Sequence, residues 1–149
     1  MTATRLANAA ATEAFGFALA ERIRPGDVIA LFGPLGAGKT TLARGILKGL
    51  GHHGEVASPT FPIVLPYDPP DTRLPVWHVD LYRIEDASEL EELGLDDARS
   101  EVALLIEWPE RLPNLWQEAL RLTLAPHSDG SRALTASVPA AWGSRWPTR

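Results

Sequence analysis

The residues best suited to chemistry lie in a short glycine-rich segment, Gly33-Pro-Leu-Gly-Ala-Gly38-Lys39-Thr40. The segment fits the pattern Gly-x-x-x-x-Gly-Lys-[Ser/Thr] of a phosphate-binding loop. Its glycines allow backbone N–H groups to surround an anion, and the helix expected after it presents the positive end of its dipole to the same place. Lys39 can neutralise the β- and γ-phosphates, and the Thr40 hydroxyl can ligate Mg²⁺. The segment therefore predicts a site for a nucleotide and its magnesium ion.

The elements on either side of this segment agree with that prediction. Residues 28–32 form an apolar run typical of a buried strand, and residues 41–50 have the pattern of a helix. A phosphate loop joins a strand to a helix in this way. The nucleotide-binding residues expected from the loop are Gly33, Leu35, Gly36, Ala37, Gly38, Lys39, Thr40 and Thr41.

Two acidic residues could complete such a site. Asp80 and Glu107 each follow an apolar run, and the carboxyl ends of parallel strands meet at one edge of an open α/β sheet. A carboxylate buried there without a partner would cost several kcal/mol, which favours a functional reason for each. The alternatives are that Asp80 pairs with Arg83 and that Glu107 caps a turn before Pro109.

A third constellation is the segment Ser58-Pro-Thr60-Phe61. A hydroxyl on a segment stiffened by proline could sense the γ-phosphate through Mg²⁺, as the switch segments of GTPases do. Taken alone, this segment is typical of an ordinary turn.

The remaining elements define the fold that must position these residues. The pattern predicts a first helix over residues 12–23 with Thr12 as its N-cap, an edge or irregular strand within 56–65, and strands over 76–82 and 102–106. A capping box over 88–91 opens a short helix that ends at Gly94, and two alternating runs flanking Asp129-Gly130 predict an antiparallel hairpin. We expect a single P-loop NTPase-like α/β domain over residues 1–149, with an irregular tail over 139–149. Its mixed sheet would be parallel around the phosphate loop, antiparallel toward the C-terminus and flanked by helices.

Composition limits the possible partners. The 149-residue chain has a net charge of −5 and no cysteine, so thiolate metal sites and disulfides are excluded. Because a domain that grips nucleic acid usually has a basic surface, we expect any contact with RNA to be indirect. No apolar run approaches the roughly 18 residues of a membrane span, and no signal peptide is expected. We expect a cytoplasmic protein that makes no membrane contact.

Several blocks, in order, resemble the TsaE family of P-loop ATPases of tRNA threonylcarbamoyladenosine (t6A) synthesis. They are residues 33–41, 58–61, 78–83 (H-V-D-L-Y-R), 89–95 (E-L-E-E-L-G-L) and 106–108 (I-E-W), and the resemblance extends over most of the chain, from about Thr12 to about Arg132.

The resemblance implies a set of roles. It implies ATP as the nucleotide, Mg²⁺ held by Thr40 and Glu107, and Asp80 beside the γ-phosphate in support of hydrolysis. It also implies a switch-like Thr60. The family resemblance further places Thr12 near the adenine and Arg132 near the nucleotide, while Trp108 matches an aromatic residue that could equally serve in packing.

The resemblance also implies a partner. The family acts with the TsaB–TsaD heterodimer and uses ATP to sustain modification of adenosine 37 in tRNAs that read codons beginning with A. The tail beyond Pro139 matches no part of the family pattern.

Other function classes fit less well. A GTPase would carry a guanine-reading Asn-Lys-x-Asp stretch, and neither of the two lysines has an aspartate two residues later. A small-molecule P-loop kinase is the remaining alternative, and a nucleotide-regulated adaptor is close to the favoured interpretation. The acidic cluster over residues 85–97 is either a solvated helix face or a docking surface for a partner.

Overall fold

A computed structural model describes residues 2–56 and 63–146. The helices are α1 (Ala9–Leu19), α2 (Lys39–Gly49), α3 (Ala87–Leu93) and α4 (Leu95–Ala98), with 3-10 turns over Ala20–Arg22, Pro109–Arg111 and Ala140–Arg145. The strands are β1 (Thr2–Leu6), β2 (Val28–Phe32), β3 (Val64–Tyr67), β4 (Val76–Asp80), β5 (Ala103–Glu107), β6 (Leu120–Pro126) and β7 (Arg132–Ser137).

Within the described residues the strands form one seven-stranded sheet in the order β1-β7-β6-β2-β5-β4-β3. The central strands β6, β2, β5 and β4 run parallel to one another. On the two sides of this group the pairing is antiparallel, with β3 on β4, β7 on β6 and β1 on β7. The predicted fold class, a mixed P-loop NTPase-like α/β sheet, is confirmed. The β6–β7 pairing also confirms the predicted hairpin.

Strands β2 and β5 are buried on both faces because the sheet is covered on both sides there. Every residue of β5 is buried, as are Val28 to Leu31 of β2. Alternate residues then enter two different cores: Ile29 and Leu105 pack with α1 and α2, whereas Val28 and Leu104 pack with Leu95 on the other side. This double burial holds the loop after β2 at the carboxyl edge of a rigid sheet.

Helices α1 and α2 pack at a distance that only glycine allows. A Cβ on Gly16 would lie 2.5 Å from the carbonyl oxygen of Leu42, and one on Gly45 would lie 2.1 Å from that of Glu13. Both distances are shorter than real Cβ contacts, so α1 fixes the axis of the helix that begins at the phosphate loop.

The N-terminal region differs from the sequence-based prediction. Helix α1 begins three residues before Thr12, and its N-cap is Asn8, whose side chain accepts the N–H of Ala11 at 2.9 Å. Thr12 is therefore a helix-interior residue, and the N-cap prediction was wrong. Strand β1 was not predicted. It is short, and it forms because its backbone pairs with β7 at the far end of the chain.

Two further predictions shift in position. The capping box that opens α3 is made by Asp86 and Glu89, two residues earlier than expected, because the Asp86 carboxylate accepts the N–H of Glu89. The helix ends at Gly94 as predicted, in the left-handed conformation.

The tail, expected to be irregular, forms the 3-10 turn over Ala140–Arg145 and packs on the α1 side of the sheet. Trp142 is 1% exposed, and the Trp146 ring lies 5.9 Å from that of Phe15. Arg145 forms a bidentate ion pair with Asp27 at 2.8 and 3.0 Å.

In the described part of the chain, no helix has the length and apolar character needed to cross a membrane.

Gly45→Ala should destabilise the protein by about 1–3 kcal/mol, because the added methyl group collides with the α1 backbone. The sign of this change in the free energy of unfolding is informative, because alanine stabilises a helix by about 1 kcal/mol relative to glycine where there is space for its methyl group. Urea unfolding measures the effect, and Lys48→Ala, on the exposed side of α2, should cost less than about 1 kcal/mol. A Gly45→Ala protein more stable than the wild type would contradict the close packing.

Candidate functional site

The carboxyl ends of β2, β4 and β5 meet at one edge of the sheet and enclose a cavity of about 350 Å³. Asp80 and Glu107 lie opposite each other in the parallel β4–β5 pairing, so the two acids are neighbours at this edge. The cavity is lined by Ala9, Trp108 and most of the predicted site residues: Leu35, Gly36, Ala37, Gly38, Lys39, Thr40, Thr41, Asp80, Glu107 and Arg132.

The loop backbone is shaped to leave its donors available to an anion. Gly38 has φ 106 and serves as the N-cap of α2 without a side chain that could accept the first N–H groups of the helix. A Cβ on Gly38 would also lie 2.5 Å from Nη1 of Arg132. Glycine at this position therefore allows both the turn and the close approach of an arginine.

Lys39 is buried at the bottom of the loop. Its ammonium group donates to the carbonyl oxygens of Gly33 and Pro34 and lies 3.6 Å from the ring centroid of Trp108. Burial lowers the pKa of Lys39 from its usual value, and the nearby carboxylates of Glu107, Glu110 and Asp80 act in the opposite direction. The acids thus support a buried cation within the loop.

Trp108 adopts an unusual backbone conformation. It has φ 61 and ψ 49, in the left-handed region that bulky residues rarely adopt. Its ring packs against Tyr82 at 4.9 Å as well as against Lys39. Such strain is found most often at functional sites, where the surrounding contacts enforce it.

Glu107 is the centre of the polar contacts. It is 2% exposed, and the Thr40 hydroxyl donates to its two carboxylate oxygens at 3.1 and 3.3 Å. Nε2 of His78 lies 2.7 Å from Oε2 of Glu107. Because an ionised carboxylate only accepts, Nε2 carries the hydrogen. Glu107 therefore faces Thr40 and His78 and does not cap the turn at Pro109, which was the alternative.

The sequence analysis did not assign His78 to the site. The available signal was its spacing from Asp80, since two residues two apart on a strand point to the same face. His78 is fully buried, and within the described residues its Nδ1 has no hydrogen-bond partner. Asp80 itself is 4% exposed, and its Oδ1 accepts the backbone N–H of Tyr82 at 2.9 Å.

The comparison with known families agrees with this geometry. The family model for the threonylcarbamoyl adenosine biosynthesis protein TsaE matches residues 6–134. The chain belongs to the TsaE family. The predicted family is thereby confirmed, and the matched range includes the loop and both acids but ends before the tail.

Individual TsaE proteins are similar over most of their length. The TsaE of Bacillus subtilis is 41% identical over 136 residues, which is 88% of this chain and 82% of that protein. The TsaE of Streptomyces coelicolor is 39% identical over 139 residues, or 89% and 92% of the two chains. Among solved structures, the crystal structure of YdiB from Bacillus subtilis superimposes with a TM-score of 0.76 at 33% identity, covering 97% of this chain and 90% of that one.

The remaining residues assigned by resemblance to TsaE are Arg132, Thr12 and Thr60. Arg132, at the start of β7, lines the cavity beside Gly38 and donates to the carbonyl of Gly130 at 3.3 Å. Thr12 is fully buried one turn after Ala9 and donates its hydroxyl to the carbonyl of Asn8 at 3.0 Å, so its contact with adenine stays a prediction. Thr60 and its segment lie outside the described residues.

His78→Leu should lower the free energy of unfolding by about 1–3 kcal/mol, because the buried Glu107 carboxylate loses a donor. His78→Gln keeps an N–H group and should lose less. His127→Leu, at an exposed histidine, is the control and should stay within about 0.5 kcal/mol of the wild type. Urea unfolding of all three variants tests the contact, and equal stability of His78→Leu and the wild type would refute it.

Proposed function

We propose that this chain is one ATPase domain that binds ATP with Mg²⁺ and sustains the formation of t6A at adenosine 37 of tRNAs that read codons beginning with A. The observation that carries the proposal is the contact of the Thr40 hydroxyl with the Glu107 carboxylate, directly after the buried Lys39 of the phosphate loop. Family membership supports the role in t6A synthesis.

The residues of the cavity fit a nucleoside triphosphate and its metal. The first N–H groups of α2 would donate to phosphate oxygens. Lys39, which now donates to the carbonyl oxygens of Gly33 and Pro34, would donate to phosphate oxygens as well. Within the described residues, Nε of Arg132 is buried without a hydrogen-bond partner, and an anion beside Gly38 would supply one. Thr40 and Glu107 present the oxygen ligands that Mg²⁺ prefers.

We assign different roles to the two acids, Glu107 and Asp80. When bound, ATP with Mg²⁺ supplies a phosphoanhydride bond and a metal that neutralises phosphate charge. Glu107, which is positioned by Thr40 and His78, would hold the metal on its side of the cavity. Asp80, at the end of the adjacent strand, would orient the attacking water or accept its proton. Both carboxylates are nearly inaccessible to solvent, at 4% and 2% exposure.

The partner of this activity would be the TsaB–TsaD heterodimer. The net charge of −5 argues against a grip on tRNA by this chain itself. We therefore assign direct tRNA binding to the partner and a nucleotide-dependent switch to this chain. A partner that modifies tRNA would meet its substrate in the cytoplasm, which is where we place the protein.

Lys39→Ala should weaken ATP binding by about ten- to a hundredfold, the equivalent of losing a charge-assisted hydrogen bond of about 1.5–3 kcal/mol. Calorimetry with ATP and Mg²⁺ measures the affinity. Lys48→Ala removes the other lysine of the chain and is the matched control, because Lys48 pairs with Glu13 on the exposed side of α2. The assignment fails if both variants bind ATP equally well.

Asp80→Asn and Glu107→Gln should be impaired at different steps. Asp80→Asn should retain ATP but lose about 10²–10⁴-fold in turnover, the usual contribution of a positioned proton acceptor. Glu107→Gln should weaken the dependence of ATP binding on Mg²⁺, because a neutral amide replaces a charged ligand. Phosphate release and magnesium titrations, each with and without TsaB–TsaD, separate the two. Wild-type turnover in Asp80→Asn, or an unchanged magnesium titration in Glu107→Gln, would reassign these residues.

A further inference from the structure

A groove runs along α3 and α4 on one side and residues 110–116 on the other. It consists of two adjoining cavities of about 570 and 340 Å³, which share Leu90, Leu112 and Pro113. Leu90, Leu112, Leu115 and Trp116 are only partly buried, so the floor of the groove is apolar and accessible. An apolar floor between two walls can receive the apolar side chains of a ligand.

The rim of the groove carries a strong negative charge. Its acidic residues are Glu85, Asp86, Glu91, Asp96, Asp97 and Glu110. Among the described residues none of the six forms an ion pair, although Asp86 caps α3 and Asp96 accepts the indole N–H of Trp116 at 2.8 Å.

Few basic groups offset this charge. Of the residues that the structure describes, Arg111 is the one basic residue that lines either cavity. Arg99 lies over the Trp116 ring while paired with Glu118. The groove therefore combines an apolar floor with carboxylates that form no ion pair among the described residues.

Both walls of the groove begin at the candidate site. The chain that leads to α3 leaves β4 directly after Asp80, and residues 110–116 follow Glu107 and Trp108. The N–H of Leu81 donates to the carbonyl of Glu107 at 3.1 Å, and the Tyr82 ring packs against the Trp108 ring at a tilt of 49°. A ligand bound between the two walls would thus contact the segments that follow both acids.

We infer that this groove is the docking surface for a basic amphipathic segment of a partner protein. Leucine-type side chains of that segment would fill the apolar floor, and its lysines or arginines would face the carboxylates of the rim. A nucleic acid is a poor occupant, because its phosphates would meet the same carboxylates. The inference rests on the proposed function in one respect, since TsaB–TsaD is the protein expected to carry the segment.

The first test measures the affinity of the full chain for purified TsaB–TsaD in the presence of ATP and Mg²⁺. The double variant Glu91→Lys with Asp97→Lys reverses two exposed rim charges and should weaken capture at least tenfold, while ATP affinity is unchanged. Glu21→Lys with Glu55→Lys makes the same change in net charge at exposed positions outside the groove and should bind like the wild type. Normal capture by the rim variant, or equal loss in both variants, would overturn the inference.

The second test does not depend on TsaB–TsaD. A synthetic amphipathic peptide of leucine and lysine is titrated into the ¹⁵N-labelled chain, and a leucine–glutamate peptide of the same pattern is the control. The lysine peptide should shift amide signals of residues 85–97 and 110–116, and the rim variant should lose the effect. Shifts elsewhere, or equal shifts with the glutamate peptide, would refute the groove. If the wild type fails to capture TsaB–TsaD but passes the peptide test, the proposed partner is wrong and the surface stands.

Discussion

The buried carboxylate of Glu107 is the constraint on which the rest of the structure depends. It contacts Thr40 from α2 and His78 from β4, so three elements far apart in sequence must meet at one point. A charge this deeply buried is tolerated only when its oxygens are occupied by donors. The parallel β2–β5–β4 arrangement satisfies that demand, because it brings the three carboxyl ends to the same edge.

The rest of the fold keeps this meeting point rigid. The glycine contact between α1 and α2 sets the position of the helix that carries Thr40. The tail then covers the same side of the sheet, with Trp142 in the core and Arg145 bound to Asp27 just before β2. The tail thus contributes packing and an ion pair to the strand that leads into the loop, although it lies beyond the part matched by the TsaE family.

Electrostatics link the site to its surroundings. Lys39 lies among Glu107, Glu110 and Asp80, which offset the cost of burying its charge. Glu110 also belongs to the rim of the acidic groove, so one carboxylate contributes to the field at both places. The connection gives a physical route, through the segments after β4 and β5, by which a docked partner and a bound nucleotide would affect each other.

Local patterns in the sequence were sufficient to place Lys39, Thr40, Asp80 and Glu107 at one edge of the sheet, because the loop pattern and the apolar strands before the acids are short-range features. The same reasoning set β2 at its observed bounds. It did not reveal β1, the role of His78 or the burial of the tail tryptophans. Each of these depends on contacts between distant segments: β1 needs β7, His78 needs Glu107, and Trp146 needs Phe15. Residue types and spacing determined which polar side chains meet at this edge of the sheet, and tertiary packing decided which buried partners hold them in place.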